Sequence, residues 1–194
     1  MGGRVGDALA IMNWLIDHDV SATIFMTGAM AGNQNTDAGR EVLALIDSHP
    51  GMLELGNHSF THRDFRTLTA AEIRDELRRT EAAIKPWCSQ DPRPLFRPPN
   101  GGYDEDVLAA VGAAGYRRTI LWDVDTIDWR PIKNDPPGPT ADQIVAKVLA
   151  NAQGGSIVLM HLGGYETFEA LPRVVAGLQA AGYDLVTVSE LLNL

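Results

Sequence analysis

At 194 residues the chain has the length of one domain, enough to bury about two thirds of its unfolded surface without staples. With 25 acidic against 16 basic residues, a net charge of -9 and no basic cluster interleaved with aromatics, its surface repels polyanions and argues against nucleic acid as a partner. No apolar run approaches the ~18 residues of a bilayer span, the N-terminus lacks the basic-then-apolar order of a signal peptide, and the single cysteine, Cys88, has no internal partner and is assigned no role.

Short apolar runs alternate with longer helical patterns, the signature of βα units rather than of a sandwich or a bundle. In chain order the pattern predicts a helix over 7–17, a strand over 22–27, a helix over 36–48, a strand over 52–56 and a helix over 69–85. A strand over 95–97, a helix over 105–114, a strand over 118–124, a helix over 140–152, a strand over 156–161, a helix over 167–181 and a strand over 185–188 follow. Thr69 with Glu72 reads as a capping box, and Gly115 and Gly182 as helix ends. The stretch "DWRPIKNDPPGP", 128–139, is a loop rather than a linker, and the whole of 1–194 reads as one domain. The order opens on a helix with no strand in front of it, although each helix of a βα alternation packs between two strands.

The polar residues that stand out share the carboxyl ends of strands, where α/β folds build their sites. His58 and His62, in "GNHSFTH", follow the strand at 52; Arg97 and Asn100 follow the strand at 95; Asp125 and Asp128 follow the strand at 118; His161 ends the strand at 156. The two imidazoles suit zinc, cobalt or nickel, and a spacing of four puts them on one side if the loop takes a helical turn. The plainer alternative is that Asn57, Ser59 and Thr61 form a polar turn whose histidines merely hydrogen-bond. His18 and His49 sit at helix ends, where an imidazole suits the dipole. In "IVLMHL" a buried strand delivers His161, with Asp128 as its natural carboxylate partner. Asp125 is otherwise a turn cap, and Trp129 a groove wall or an ordinary core aromatic.

With "HSFTH", "RPPNGGY", "DTIDW" and "LMH" in this order and βα segments between them, the chain resembles the polysaccharide deacetylases of the NodB homology type, carbohydrate esterase family 4. The resemblance runs over essentially the whole chain. It implies a distorted (β/α)7 barrel that removes acetyl groups from N- or O-acetylated sugars, such as peptidoglycan, chitin-like or xylan-like glycans, with a divalent metal, usually zinc. It makes His58 and His62 metal ligands and His161 the general acid, with Asp128 orienting it. Leu159 would line the pocket for the acetyl methyl, Arg97 would hold the catalytic aspartate, the Asn100 backbone N–H would stabilise the oxyanion, and Trp129 and Tyr103 would line the glycan groove. The family is secreted or bound to the cell envelope.

The sequence departs from the family pattern in two places. The pattern opens on a strand ending in T-F-D-D-G, whose aspartates are the base and the third metal ligand; here Met1 falls at the second aspartate and Gly2 at the glycine. The simplest account is a chain begun at an internal methionine, with its first strand and base lost and its activity impaired. A barrel short of that strand would leave an open edge inviting a second copy of the chain. Asn100 also stands where tyrosine is common. Two alternatives remain, a catalytically silent sugar-binding barrel and a hydrolase of small cyclic amides on the same scaffold.

Overall fold

The computed structural model describes residues 4–194. The expected alternation is present as α1 (Ala8–Asp17), β1 (Ala22–Met26), α2 (Gly28–Ala31), α3 (Ala38–Ser48), β2 (Leu53–Asn57), α4 (Ala70–Ile84) and β3 (Leu95–Phe96). It continues with α5 (Glu105–Ala113), β4 (Arg118–Thr119), β5 (Val124–Asp125), α6 (Ala141–Asn151), β6 (Val158–Leu159), α7 (Thr167–Ala180) and α8 (Val188–Leu192). One sheet has the order β1-β2-β3-β4 and the second pairs β5 with β6. The β2–β3, β3–β4 and β5–β6 pairs are parallel, as helical crossovers between successive strands require. Among the described residues no helix is long and apolar enough to cross a membrane.

The chain divides into two compact units, one of Thr23–Leu121 and one of residues 4–22 with Trp122–Leu194. In the first, α4 and α5 close a core of Phe65, Ile73, Leu77, Phe96, Val107, Val111 and Tyr116 over β3. Helix α4 forms there because Ile73, Leu77, Thr80 and Ile84 recur at spacings of four and three, and because Thr69 and Glu72 satisfy each other's backbone N–H groups as the predicted capping box. In the second unit α6 and α7 pack Ile144, Val148, Val174 and Leu178 on Val124, while α1 lays Ile11 and Leu15 against Leu171 and Val175. A second capping box, Thr140 with Gln143, starts α6.

Two expectations are corrected. The strand over 118–124 is broken into β4 and β5, because the carbonyls of Ile120 and Leu121 accept the Arg97 guanidinium instead of continuing a ladder. The segment 185–188 is not a strand; the Thr187 hydroxyl accepts from Glu190 N and starts α8. Asp7 stands at the N-cap of α1, its carbonyl receiving Ile11 N at 2.8 Å. The four-residue α2 and short turns at Phe65–Thr67 and Pro99–Gly101 have no periodicity to announce them. Cys88 is buried, and burial pushes its thiol pKa up, which suits an inert residue. As read, α1 is the first element among the described residues, and β1 is an edge of its sheet. Met1 and Gly2, the positions aligned with the missing motif, lie outside the described residues.

Candidate active site

In the Thr23–Leu121 unit the histidine loop starts where β2 ends. Asn57 is fully buried; its side-chain oxygen accepts Ser59 N at 2.9 Å and its amide donates to the Tyr116 hydroxyl at 2.7 Å, so the strand turns at once. Tyr116 in turn donates to Glu81 at 2.8 Å. Ser59 and His62 take left-handed backbone conformations, at φ 70° and 62°, a cost the loop must offset with hydrogen bonds. One of these is His62 N to Ser59 Oγ at 3.0 Å, and His58 N is held by the Met26 carbonyl at 2.9 Å. The result is that the two imidazoles meet edge-on, with ring centroids 4.8 Å apart and planes at 80°. The polar turn and the facing pair are therefore one arrangement rather than alternatives.

Because a carbonyl can only accept, the 2.7 Å contact of His58 Nδ1 with the Arg97 carbonyl places the proton on Nδ1 and the lone pair on Nε2. Burial first, and His62 second, pull the His58 pKa down to about 3. A neutral imidazole with an available lone pair is the form a metal ion binds. Two nitrogen ligands fit zinc, cobalt or nickel as far as they go, but a catalytic zinc takes three protein ligands. Among the described residues no group of three His, Cys, Asp or Glu side chains gathers to hold an ion.

Arg97 is buried, its guanidinium donating to the Ile120 and Leu121 carbonyls at 3.3 Å and lying 4.2 Å over the Phe25 ring. Desolvation lowers its pKa to about 10, which still leaves it cationic at neutral pH. Asn100 is exposed with φ 58°, a conformation asparagine tolerates far better than tyrosine, and Tyr103 follows it largely exposed.

The other unit holds the second cluster. Asp128 is buried to 1 % exposure, and its carboxylate accepts His161 N at 2.8 Å, His161 Nδ1 at 2.6 Å and the Thr167 hydroxyl. Its own carbonyl receives Tyr165 N at 2.8 Å. His161 thus keeps Nε2 for chemistry while Nδ1 is locked to the carboxylate. The chain just past His161 runs very close to this carboxylate: a Cβ on Gly164 would fall on the Thr167 hydroxyl and the Asp128 carboxylate. Arg4 closes this loop by donating to the carbonyls of Gly163 and Gly164 and stacking 3.9 Å over Tyr165.

Asp125 makes the turn its alternative reading predicted, accepting Ile127 N at 2.8 Å, with Ile127 at φ 60° just before Asp128. Leu159 is buried in β6 opposite Asp125, and Trp129 is 38 % exposed beside Arg130, which excludes the core-aromatic alternative. His18 and His49 cap α1 and α3 with their Nδ1 atoms on the carbonyls of Trp14 and Leu45, as read. Glu76, Thr167 and Gly164 escaped the sequence reading. Glu76 carried a signal, a carboxylate on the apolar stripe of α4; the other two carried none.

A polysaccharide deacetylase family model matches residues 6–119. A chitooligosaccharide deacetylase from Bradyrhizobium sp. (strain ANU 289) is 31% identical over 196 residues, covering 93% of this chain and 82% of its own. A peptidoglycan-N-acetylglucosamine deacetylase from Bacillus cereus is 31% identical over 94% of this chain and 80% of its own. Among solved structures, a family 4 carbohydrate esterase pseudoenzyme from Bacillus anthracis superposes with a TM-score of 0.78 at 32% identity, over 99% of this chain and 62% of that one. The chain likewise spans 50% of the YlxY protein of Bacillus subtilis, to which it is 32% identical. The fold class is therefore the α/β fold of carbohydrate esterase family 4, the distorted (β/α)7 barrels expected from the motifs. The chain belongs to the polysaccharide deacetylase family.

Proposed function

We propose that the chain carries the machinery of a metal-dependent deacetylase acting on N- or O-acetylated polysaccharide, one domain over 1–194. The observation behind this is the His161–Asp128 hydrogen bond at 2.6 Å in a chain of this family. Relatives named for chitooligosaccharide, peptidoglycan and xylan deacetylation support the substrate class.

In this reading His58 and His62 hold zinc, with cobalt or nickel as substitutes. A divalent ion, when bound, supplies Lewis acidity towards the acetyl carbonyl and an acidified water. The residues of the chain do the rest. His161 gives a proton from Nε2 to the leaving amine or alkoxide, and Asp128 fixes its ring and steadies the imidazolium. The Asn100 backbone N–H would stabilise the developing oxyanion, Leu159 would receive the acetyl methyl, Trp129 and Tyr103 would pack against sugar faces, and Arg97 would hold the catalytic aspartate of the family pattern. Because no third ligand joins the histidine pair among the described residues, we expect the 194-residue chain alone to hold metal weakly and turn over slowly. In a site of this kind, loss of the base costs ~10²–10⁴ in rate. We also propose that the β1 edge pairs with a second copy; a monodisperse monomer in light scattering would overturn that point.

The likeness to a family 4 carbohydrate esterase pseudoenzyme favours a second reading, a silent sugar-binding barrel. The deciding experiment measures zinc uptake and acetate release from acetylated chitooligosaccharides, with small ureides in parallel. Release that depends on zinc and on His161 supports the deacetylase. Glycan binding without release supports the silent barrel, and ureide hydrolysis alone overturns both.

A further inference from the structure

Glu76 and Asp128 are the two buried carboxylates among the described residues. Asp128 is accounted for by His161. Glu76 lies on the inward stripe of α4, between Ile73 and Leu77, at 5 % exposure, a position where an apolar side chain would stabilise the core more simply. Its two oxygens are taken by three donors from one short segment. Oε2 accepts Phe60 N at 2.9 Å and Thr61 N at 2.7 Å, and Oε1 accepts the Thr61 hydroxyl at 2.7 Å. Phe60 and Thr61 are residues of the loop that joins His58 to His62, and they sit between its two left-handed positions, Ser59 and His62. The carbonyls of Ser59 and Phe60 are held from the other direction by Gly28 N and Ala29 N, each at 3.0 Å. The loop is thus clamped between the start of α2 and a carboxylate on α4, and the carboxylate touches its backbone rather than its imidazoles.

We propose that Glu76 is a positioning residue that, through Phe60 and Thr61, keeps His58 and His62, the pair proposed above to hold a metal ion, in their edge-on arrangement. The inference rests on the metal reading above. Glu76→Ala leaves three donors without their acceptor. Glu76→Gln keeps an oxygen for the two amides and an amide that can donate to the Thr61 hydroxyl once that rotates. Ile73→Val trims the same helix face without touching the loop, and so reports loss of stability alone.

The test is zinc affinity by competition with a chromophoric chelator, at a temperature where circular dichroism shows every variant folded. Metal-free amide exchange accompanies it. Glu76→Ala weakens zinc binding by roughly 10–100-fold, the range found when groups supporting metal ligands are removed. Glu76→Gln stays near the parent and Ile73→Val equals it. Exchange at the Phe60 and Thr61 amides accelerates in Glu76→Ala and not in Ile73→Val. Parent-like zinc affinity in Glu76→Ala, or an equal loss in Ile73→Val, overturns the proposal. If the parent takes up no zinc, the metal reading fails by itself, and unchanged exchange at Phe60 and Thr61 in Glu76→Ala then overturns the role of Glu76. Should Glu76→Ala not fold, Glu76→Asp, which withdraws the oxygens by one methylene, takes its place with the same expectations.

Discussion

The loop at His58–His62 and the segment around Asp128 and His161 each pair histidine with a buried carboxylate, yet they use it in opposite ways. Asp128 bonds the imidazole itself, at 2.6 Å from Nδ1. Glu76 bonds the backbone and hydroxyl between two imidazoles. A carboxylate on the ring nitrogen fixes the ring and leaves Nε2 for the proton transfer proposed for His161. A carboxylate on the supporting loop fixes direction while leaving the ring neutral, and burial then holds His58 at a pKa of about 3, the condition for a ligand. In the proposed reading the same two residue types serve acid chemistry or metal binding according to which atom the carboxylate touches.

Breaking the proton-carrying side should have the largest effect. His161→Ala is expected to lower acetate release by about 10²–10⁴-fold with the far-ultraviolet spectrum unchanged. On the ligand side, His58→Ala and His62→Ala should each lose zinc under dialysis where His161→Ala retains it; equal metal content in all three would erase the distinction between the two regions. Gly164→Ala sharpens the comparison by crowding only the Asp128 side. It should cost about 1–3 kcal/mol in thermal unfolding, as overpacking does, and leave zinc affinity unaltered.

The smallest effect is on acid stability. An ordinary imidazole titrates at 6.5, whereas His58 in the folded chain stays neutral down to about 3. Between those values the unfolded chain binds a proton that the folded chain refuses, so stability falls as pH drops through that window and levels off below it. Chemical denaturation of chelator-treated protein at successive pH values should show this decline, and His58→Gln should flatten it.

Much of this was legible along the chain. The six long helices appear within a few residues of their predicted bounds, because apolar residues at spacings of three and four, a Thr69–Glu72 box and glycines at 115 and 182 are local signals that need no partner. His58, His62, Arg97, Asp128 and His161 were picked out because each follows or ends a predicted strand; a polar turn of Asn57, Ser59 and Thr61 was read as well, but not the left-handed backbone at Ser59. The strands were the weaker part. A predicted run over 118–124 broke where Arg97 took the carbonyls of Ile120 and Leu121, a long-range competition invisible in the run itself.

The amino-acid order by itself determined the alternation of elements, the family and the residue types available for chemistry, since periodicity, capping and motif spacing are all properties of neighbours. Only the tertiary structure decided which buried carboxylate meets which histidine atom. Glu76 approaches Phe60 and Thr61 from another element, and Asp128 meets Thr167 across 39 positions of chain, contacts that follow from packing and not from any local preference of the residues that make them.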